Sequence, residues 1–351
     1  MPELQKFLFD GLPVRGMLVK LTGAWTEILK RRSLNSTTGA YPVPVQELLG
    51  EMAAAAVLMQ SSIKFEGALI LQINGDGPVK LAVAEVLSDL SLRATATVVG
   101  EVPSDASLSA MVNVGNQGRC AVTLDPKSRL PGQQAYQGVV PLFGDRREKL
   151  ERLSDVLAHY MLQSEQLDTT LVLAADDKVA AGLLIQRLPK NRGQIPISSV
   201  SAGTGSVAQR AAMKLESDPD FSYFSESEDQ IGRNEDYNRI AILASSLKRD
   251  ELLTLDVQTI LRRLFWEEKV SLFEPAVADA APHFACTCSR QRVSRMIHSL
   301  GTVEAESIIA ERGDIEVGCD FCGQQYRFDA VDAAQIFTFT AQTIPGSSSP
   351  H

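Results

Sequence analysis

Phe284-Ala285-Cys286-Thr287-Cys288-Ser289-Arg290 and, after thirty residues intervening between Cys288 and Cys319, Cys319-Asp320-Phe321-Cys322-Gly323 hold four of the five cysteines in a chain of 351 residues. Two close thiol pairs, held apart by about the length of one small fold, have the ligand number and spacing of a tetrahedral zinc site with four cysteine ligands. The same four sulfurs are one oxidation step from two local disulfides, so the cluster reads as a structural staple or as a switch. Below about 70 residues an apolar core rarely holds a fold alone, and this stretch has few large apolar residues. Zinc bound by four thiolates adds on the order of 10 kcal/mol of folding free energy. Metal is therefore expected to be a condition of folding here. Oxidising the ligands is expected to release the ion and unfold the module together.

The surroundings of the cysteines offer further chemistry. Arg290, Arg292 and Arg295 follow the first pair; cations near a thiol favour the reactive thiolate, although three arginines on a helix also make an ordinary solvated face. His283 and His298 flank the same pair and have metal-binding side chains, but four cysteines already complete a tetrahedron. Residues 281–340 carry five Arg and no Lys against eight acids, which disfavours a nucleic-acid zinc finger. Cys319 and Cys322 alone would suit a thiol–disulfide oxidoreductase. A thioredoxin-like CxxC, however, opens a helix in a βαβ setting, and here it falls between short alternating stretches, Ile315-Val317 before it and Tyr326-Phe328 after it. Cys120 lies in an apolar run and reads as a buried structural thiol, and His159 falls on an expected helix. The chain has no Gly-Lys dipeptide and so no Walker-type phosphate loop.

Composition narrows the class. With 44% hydrophobic and 22% charged residues, the chain can build one large domain with appendages. A net charge of −9 and a pI near 5.1 argue against broad binding to nucleic acid or to anionic membranes. The start, Met1-Pro2-Glu3-Leu4-Gln5-Lys6, lacks the pattern of a secretory signal, and no apolar run approaches the roughly 18–20 residues of a membrane span. A soluble, cytoplasmic protein in a reducing compartment is expected, where clustered cysteines bind metal or do redox chemistry.

The fold class expected is α+β: a large N-terminal sheet-and-helix domain, a helical linker and a small C-terminal four-cysteine zinc-binding module. Residues 1–190 form the first part. Val45 to Ile63, with four consecutive alanines after Pro42 and Pro44, predicts a long helix packed closely on a sheet. Leu69–Ile73 and Val79–Val86 predict strands joined across Gly75-Asp76-Gly77-Pro78, with further strands at Cys120–Leu124 and Ala135–Leu142. Leu150, Leu153, Leu157 and Met161 share one stripe and predict a helix from Arg147 to about Glu165. Thr170–Ala174 and Ala180–Leu188 predict a hairpin. Residues 191–235 are Ser/Gly-rich, then acidic, and read as a flexible insertion.

Order is expected again from about Tyr237, in a linker at 236–280. Ile240, Leu243 and Leu247 suggest one helix. Val257, Ile260, Leu261, Leu264 and Phe265 mark another, capped by Asp256 or Thr254. Their apolar face needs a partner, and a groove on the large domain under residues 240–275 is the simplest one. The cysteine module occupies 281–340, with a helix from Ser289 to Gly301 and another capped by Thr302 and ended by Gly313. Residues 341–351 read as a disordered tail.

At the two cysteine stretches quoted first, the sequence resembles the redox-regulated heat-shock protein thirty-three chaperone family. Further stretches similar to it are Val14-Arg15-Gly16, Gly75-Asp76-Gly77-Pro78, Tyr136-Gln137-Gly138-Val139-Val140, Ser164-Glu165-Gln166 and Glu251-Leu252-Leu253-Thr254-Leu255, in family order along most of the chain. In the Leu92-Arg93-Ala94 segment, an alanine stands where the family usually has glycine. The resemblance implies an ATP-independent holdase rather than an enzyme. It implies one zinc ion held by Cys286, Cys288, Cys319 and Cys322 in a reduced, inactive state. Oxidation would form the disulfides Cys286–Cys288 and Cys319–Cys322, unfold the module and linker, and open a surface for unfolded client proteins. A homodimer in the oxidised state is a further implication.

Overall fold

The computed structural model describes residues 3–35, 39–128, 134–188, 234–275 and 281–338; the expected insertion and tail fall almost wholly outside them. The chain opens with strands β1 (Leu4–Phe9) and β2 (Val14–Leu21), then helices α1 (Gly23–Ser33) and α2 (Val43–Ser62). Pro42 precedes the first turn of α2 and Pro44 lies within it, where a missing N–H costs nothing. From Val45 to Gln60 nearly every residue of α2 is buried, including Ala53–Ala56. A helix apolar on all sides must be enclosed on all sides, and α2 packs against strands of two separate sheets.

Strands β3 (Gly67–Asn74), β4 (Val79–Leu87) and β5 (Ser91–Val98) form a meander. After the short α3 (Leu108–Val112) come β6 (Arg119–Pro126), β7 (Tyr136–Pro141), α4 (Leu153–Tyr160), β8 (Thr169–Ala175) and β9 (Ala180–Arg187). The linker region supplies α5 (Glu235–Ser245), α6 (Arg249–Thr254), α7 (Val257–Phe265) and a short strand, β10 (Val270–Leu272). The last part holds β11 (His283–Phe284), α8 (Arg290–Leu300), α9 (Thr302–Arg312), β12 (Ile315–Gly318), β13 (Gln325–Phe328) and α10 (Ala330–Thr338). One sheet runs β10-β1-β2-β9-β8 and another β11-β5-β4-β3-β6-β7, while β12 and β13 form a two-stranded sheet. The architecture is thus α+β, a helix between two sheets, as the composition and pattern imply.

Alternate residues of the five-stranded sheet face opposite ways. Met17, Val19, Leu21 and Leu184 join the core around α2, whereas Phe7, Phe9, Leu18, Leu183 and Ile185 pack under α5–α7. The linker helices therefore cover the outer face of this sheet with Ile240, Leu252, Val257, Ile260, Leu264 and Phe265. Asp256 is the N-cap of α7, accepting from Thr259 N at 3.0 Å. The segment is not wholly helical, because β10 adds an antiparallel edge beside β1.

Several family-like stretches have local physical causes. Gly16 pairs with Phe7 across the strands, and a Cβ there would overlap the Phe7 ring. Gly138 leaves room for Tyr160, whose ring would lie 2.7 Å from an added Cβ. Buried Glu165 accepts from the Tyr136 and Tyr160 hydroxyls, each at 3.1 Å. Gln166 turns the chain in the left-handed region at φ 56°. Glu251 caps α6 by accepting from Lys248 N at 3.0 Å, while Leu252 and Leu253 are buried.

Three expectations are corrected. The helix predicted over Arg147–Glu165 begins only at Leu153, because Arg147 is left-handed and residues 143 and 149 pair as a bridge; its last turn widens into a π-helix at Met161–Glu165. Gly301, not Thr302, is the N-cap of α9. The module also holds a third helix, α10, beyond the two that its sequence predicts. Strands β1, β2 and β5 and helix α1 likewise add to the predicted elements.

Replacing Gly16 by alanine is expected to cost about 1–3 kcal/mol through overpacking against Phe7. Urea unfolding monitored by circular dichroism measures it, and a wild-type midpoint would contradict the close approach.

Candidate metal centre

Short backbone devices bring the four thiols together. Cys286 and Cys288 lie in the extended link between β11 and α8. Ser289 then caps α8, its Oγ accepting from Arg292 N at 3.2 Å. Cys319 and Cys322 lie in the tight connection of the β12–β13 hairpin. There Gly323 N donates to Cys319 O at 2.8 Å, and Cys319 N donates to Gln324 O at 2.9 Å. Gly323 has φ +73°, a conformation that costs glycine little and other residues more. The knuckle therefore points both sulfurs to one side of the hairpin.

All four Sγ atoms lie within 4.8 Å of one another. Cys286 Sγ is 3.7 Å from Cys319 Sγ, and Cys288 Sγ is 3.3 Å from Cys322 Sγ. Zn–S bonds of about 2.3 Å in a tetrahedron place sulfurs about 3.8 Å apart, so the residues fit a divalent metal with soft ligands. No sulfur pair is bonded, and all five cysteines are free. Cys120 is on β6, fully buried in the large core, where burial pushes its thiol up to about 12; it is structural. Among the described residues no other group of His, Cys, Asp and Glu side chains has metal-binding geometry.

The flanking histidines stand apart from the four-sulfur group. His283 bonds Ala281 O at 3.0 Å, and His298 stacks on Phe337 at 5.5 Å. Among the described residues, the three arginines of α8 make no hydrogen bond to the sulfurs. Arg290 binds Arg327 O at 2.7 Å and Asp332 at 2.6 Å, with its guanidinium over the Phe328 ring; Arg292 binds Thr287; Arg295 is exposed. They form the solvated, structural face.

The cation at the sulfurs is Arg93, on β5 of the large domain. Its Nη1 lies 3.8 Å from Cys286 Sγ and its Nη2 2.8 Å from Glu85, and the guanidinium sits 4.2 Å over the Phe321 ring. Burial disfavours the cation, but Glu85 and then Cys286 more than offset it, so Arg93 stays charged. Burial likewise opposes ionisation of Cys286, yet hydrogen bonds from Cys288 and Arg93 bring its thiol down to about 7. Burial raises Cys319 and Cys322. Tyr326 donates to Cys288 Sγ at 3.1 Å. Sequence reasoning missed the place of Arg93 at the sulfurs, because it stands 193 positions from Cys286.

The module has little else to hold it. Its buried apolar set is Val293, Ile297, Ala305, Ile315, Phe328 and Ala333. The CxxC pair sits in a hairpin connection rather than at a helix start, so the thioredoxin-like setting is not met.

Fold and site together define an α+β protein whose small C-terminal module gathers four thiols in metal-binding geometry. A family model described as Hsp33 protein matches residues 3–329. The 33 kDa chaperonin of Chromobacterium violaceum is 41% identical over 337 residues, covering 96% of this chain and 94% of that one. Its counterpart in Methylobacillus flagellatus is 36% identical, covering 99% and 98%. The crystal structure of a 33 kDa chaperonin, a heat shock protein 33 homolog from Thermotoga maritima, superposes with a TM-score of 0.65 at 18% identity, over 97% of this chain and 99% of that one. That last likeness concerns the fold. The chain belongs to the Hsp33 family of chaperones. No helix among the described residues is long and apolar enough to cross a membrane.

Replacing Cys286 or Cys322 by serine is expected to abolish stoichiometric metal binding, measured by a colorimetric zinc assay on reduced protein. A chelator should remove hydrogen-exchange protection from the β12–β13 ladder while leaving β3–β4 protected. Persistent β12–β13 protection without metal would show that the small core suffices.

Proposed function

We propose that this protein is an ATP-independent holdase, switched on when the four-thiol centre is oxidised. The observation that carries the reading is the pairing of four gathered sulfurs with a module core of only six buried apolar residues among those described. One zinc ion bound there in the reduced state would tie the two thiol pairs into a single cross-link. Each pair, Cys286 with Cys288 and Cys319 with Cys322, gives two electrons to one hydrogen peroxide molecule. An S–S bond forms within the pair and the peroxide is reduced to two hydroxide ions. The sulfurs are then no longer thiolate ligands, and a core of this size cannot hold the module.

The client surface is assigned to the outer face of the five-stranded sheet together with the apolar face of the linker helices. Phe7, Phe9 and Phe265 form one aromatic group there, with Phe9 and Phe265 at 4.9 Å, edge to face. α6 and α7 have six and nine residues, too short to be stable as isolated helices in water. Their order depends on this contact, so they are suited to leave it. Unfolded proteins present scattered apolar side chains, which an exposed sheet face of this kind would bind. On the same reading the protein acts in the cytoplasm, binds clients without catalysis, and dimerises when oxidised.

Peroxide treatment of zinc-loaded protein under mild heat is expected to release one zinc per chain and to confer suppression of client aggregation, followed by light scattering. Equal suppression by the reduced protein would defeat the switch. Ile260→Asp, which places a charge under α7, is expected to give the reduced protein at least half the activity of the oxidised wild type. An inactive but folded variant would count against the covered sheet face as the client surface.

A further inference from the structure

The module rests on the large domain through a continuous set of contacts centred on Arg93. β11 joins β5 in the one parallel strand pairing among the described residues, with His283 N donating to Leu90 O at 3.3 Å and Ala285 N to Leu92 O at 3.1 Å. Beside that seam, Thr95 Oγ1 donates to Asp320 O at 2.9 Å, inside the second cysteine knuckle. Phe284 lies under Arg31 of α1, 4.6 Å from guanidinium carbon to ring centre. Arg93 touches both halves of the cluster: the sulfur of Cys286 in the first pair and the ring of Phe321 between the second pair. Its side chain is only 13% exposed and that of its carboxylate partner Glu85 only 14%. A charge so placed must be matched locally.

We propose that Arg93 is a positioning residue that docks the four-thiol module onto the six-stranded sheet, and that its hold depends on the negative charge of the metal-ligating sulfurs. Four thiolates around one divalent cation leave net negative charge for the guanidinium to face; two disulfides leave none. Oxidation therefore removes the anionic side of the contact at the same step that removes the ligands. Undocking of β11 from β5 follows from the loss of negative charge on the sulfurs that face Arg93, as well as from unfolding within the module. The charge dependence rests on the redox reading above; the docking role is measurable without oxidant or client.

The test uses full-length, reduced, zinc-loaded protein and residue-resolved amide hydrogen exchange. In the wild type the amides of His283 and Ala285 are expected to exchange slowly. Arg93→Met keeps an unbranched apolar stem but removes the guanidinium and its charge; exchange at both amides should rise about tenfold, as should zinc transfer to a chelator, the usual effect of losing a partner of a ligand. The β12–β13 amides should stay protected, which separates undocking from unfolding. Arg93→Lys, which retains charge without the planar stack, should recover part of both effects. Should Arg93→Met compromise the core, seen as exchange in β3–β4, Phe321→Leu removes the same contact from the module side and should speed the same two amides. Wild-type exchange and wild-type zinc transfer in these variants would overturn the docking role. After peroxide, wild type and Arg93→Met should exchange alike at His283 and Ala285; slow exchange persisting in the oxidised wild type alone would overturn the charge dependence.

Discussion

A helix that is apolar around its whole circumference has to be enclosed before it can exist in water, and α2 sets that requirement for the entire large domain. At its centre Ala53–Ala56 present little side-chain bulk, so two sheets can approach that stretch closely. The approach is close enough that a Cβ on Gly50 would press on Ala175 and Trp25. Trp25 is itself fixed by donation from its indole N–H to Asp176 O at 2.7 Å. Once both sheets are committed to α2, each has only one remaining face and its edges to offer anything else. What the rest of the chain does is decided by how those leftovers are covered.

The two coverings differ in kind. On the five-stranded sheet the cover is apolar, with helices laid over Phe7, Phe9, Leu18 and Ile185; its strength follows buried area and does not respond to redox state. On the six-stranded sheet the cover is a short parallel strand and a cluster of polar and cationic contacts grouped around sulfur. Such contacts are worth little when the charges are mismatched and more when they are desolvated and paired. A chemical signal that alters only sulfur can act directly on the second cover alone. Any effect on the first must travel through the chain that joins them, from α7 through β10 to β11.

The two thiol pairs and helix α8 are legible in the sequence because the devices that build them are local, two short thiol spacings and a serine cap at Ser289; α10 and the pairing of β11 with β5 are not. The α2, β3–β4 and β8–β9 elements are legible for the same reason, since periodicity and turn residues declare them. Helix α4 is over-extended by pattern alone because the apolar stripe beginning at Leu150 continues it. The left-handed Arg147 and the bridge at 143–149 depend on strand pairing that no local pattern records. β1 and β2 escape such reading although Gly16 belongs to their pairing. Its role requires knowing that Phe7 lies opposite.

Arg93 marks the limit of such reading. On β5 its neighbours in sequence are Leu92 and Ala94, both in the large core, and alternation says only that Arg93 faces the other way. That a solvent-facing position of an ordinary strand becomes the electrostatic partner of a sulfur cluster follows from topology: β5 ends a meander and is left as an edge, and an edge strand needs a cover. The chain supplies that cover with the residues immediately before Cys286. Placing the edge-covering strand and the first thiol pair in one continuous stretch makes closure of the sheet and gathering of the four thiols a single structural event. The position of Arg93 beside both is the geometric consequence.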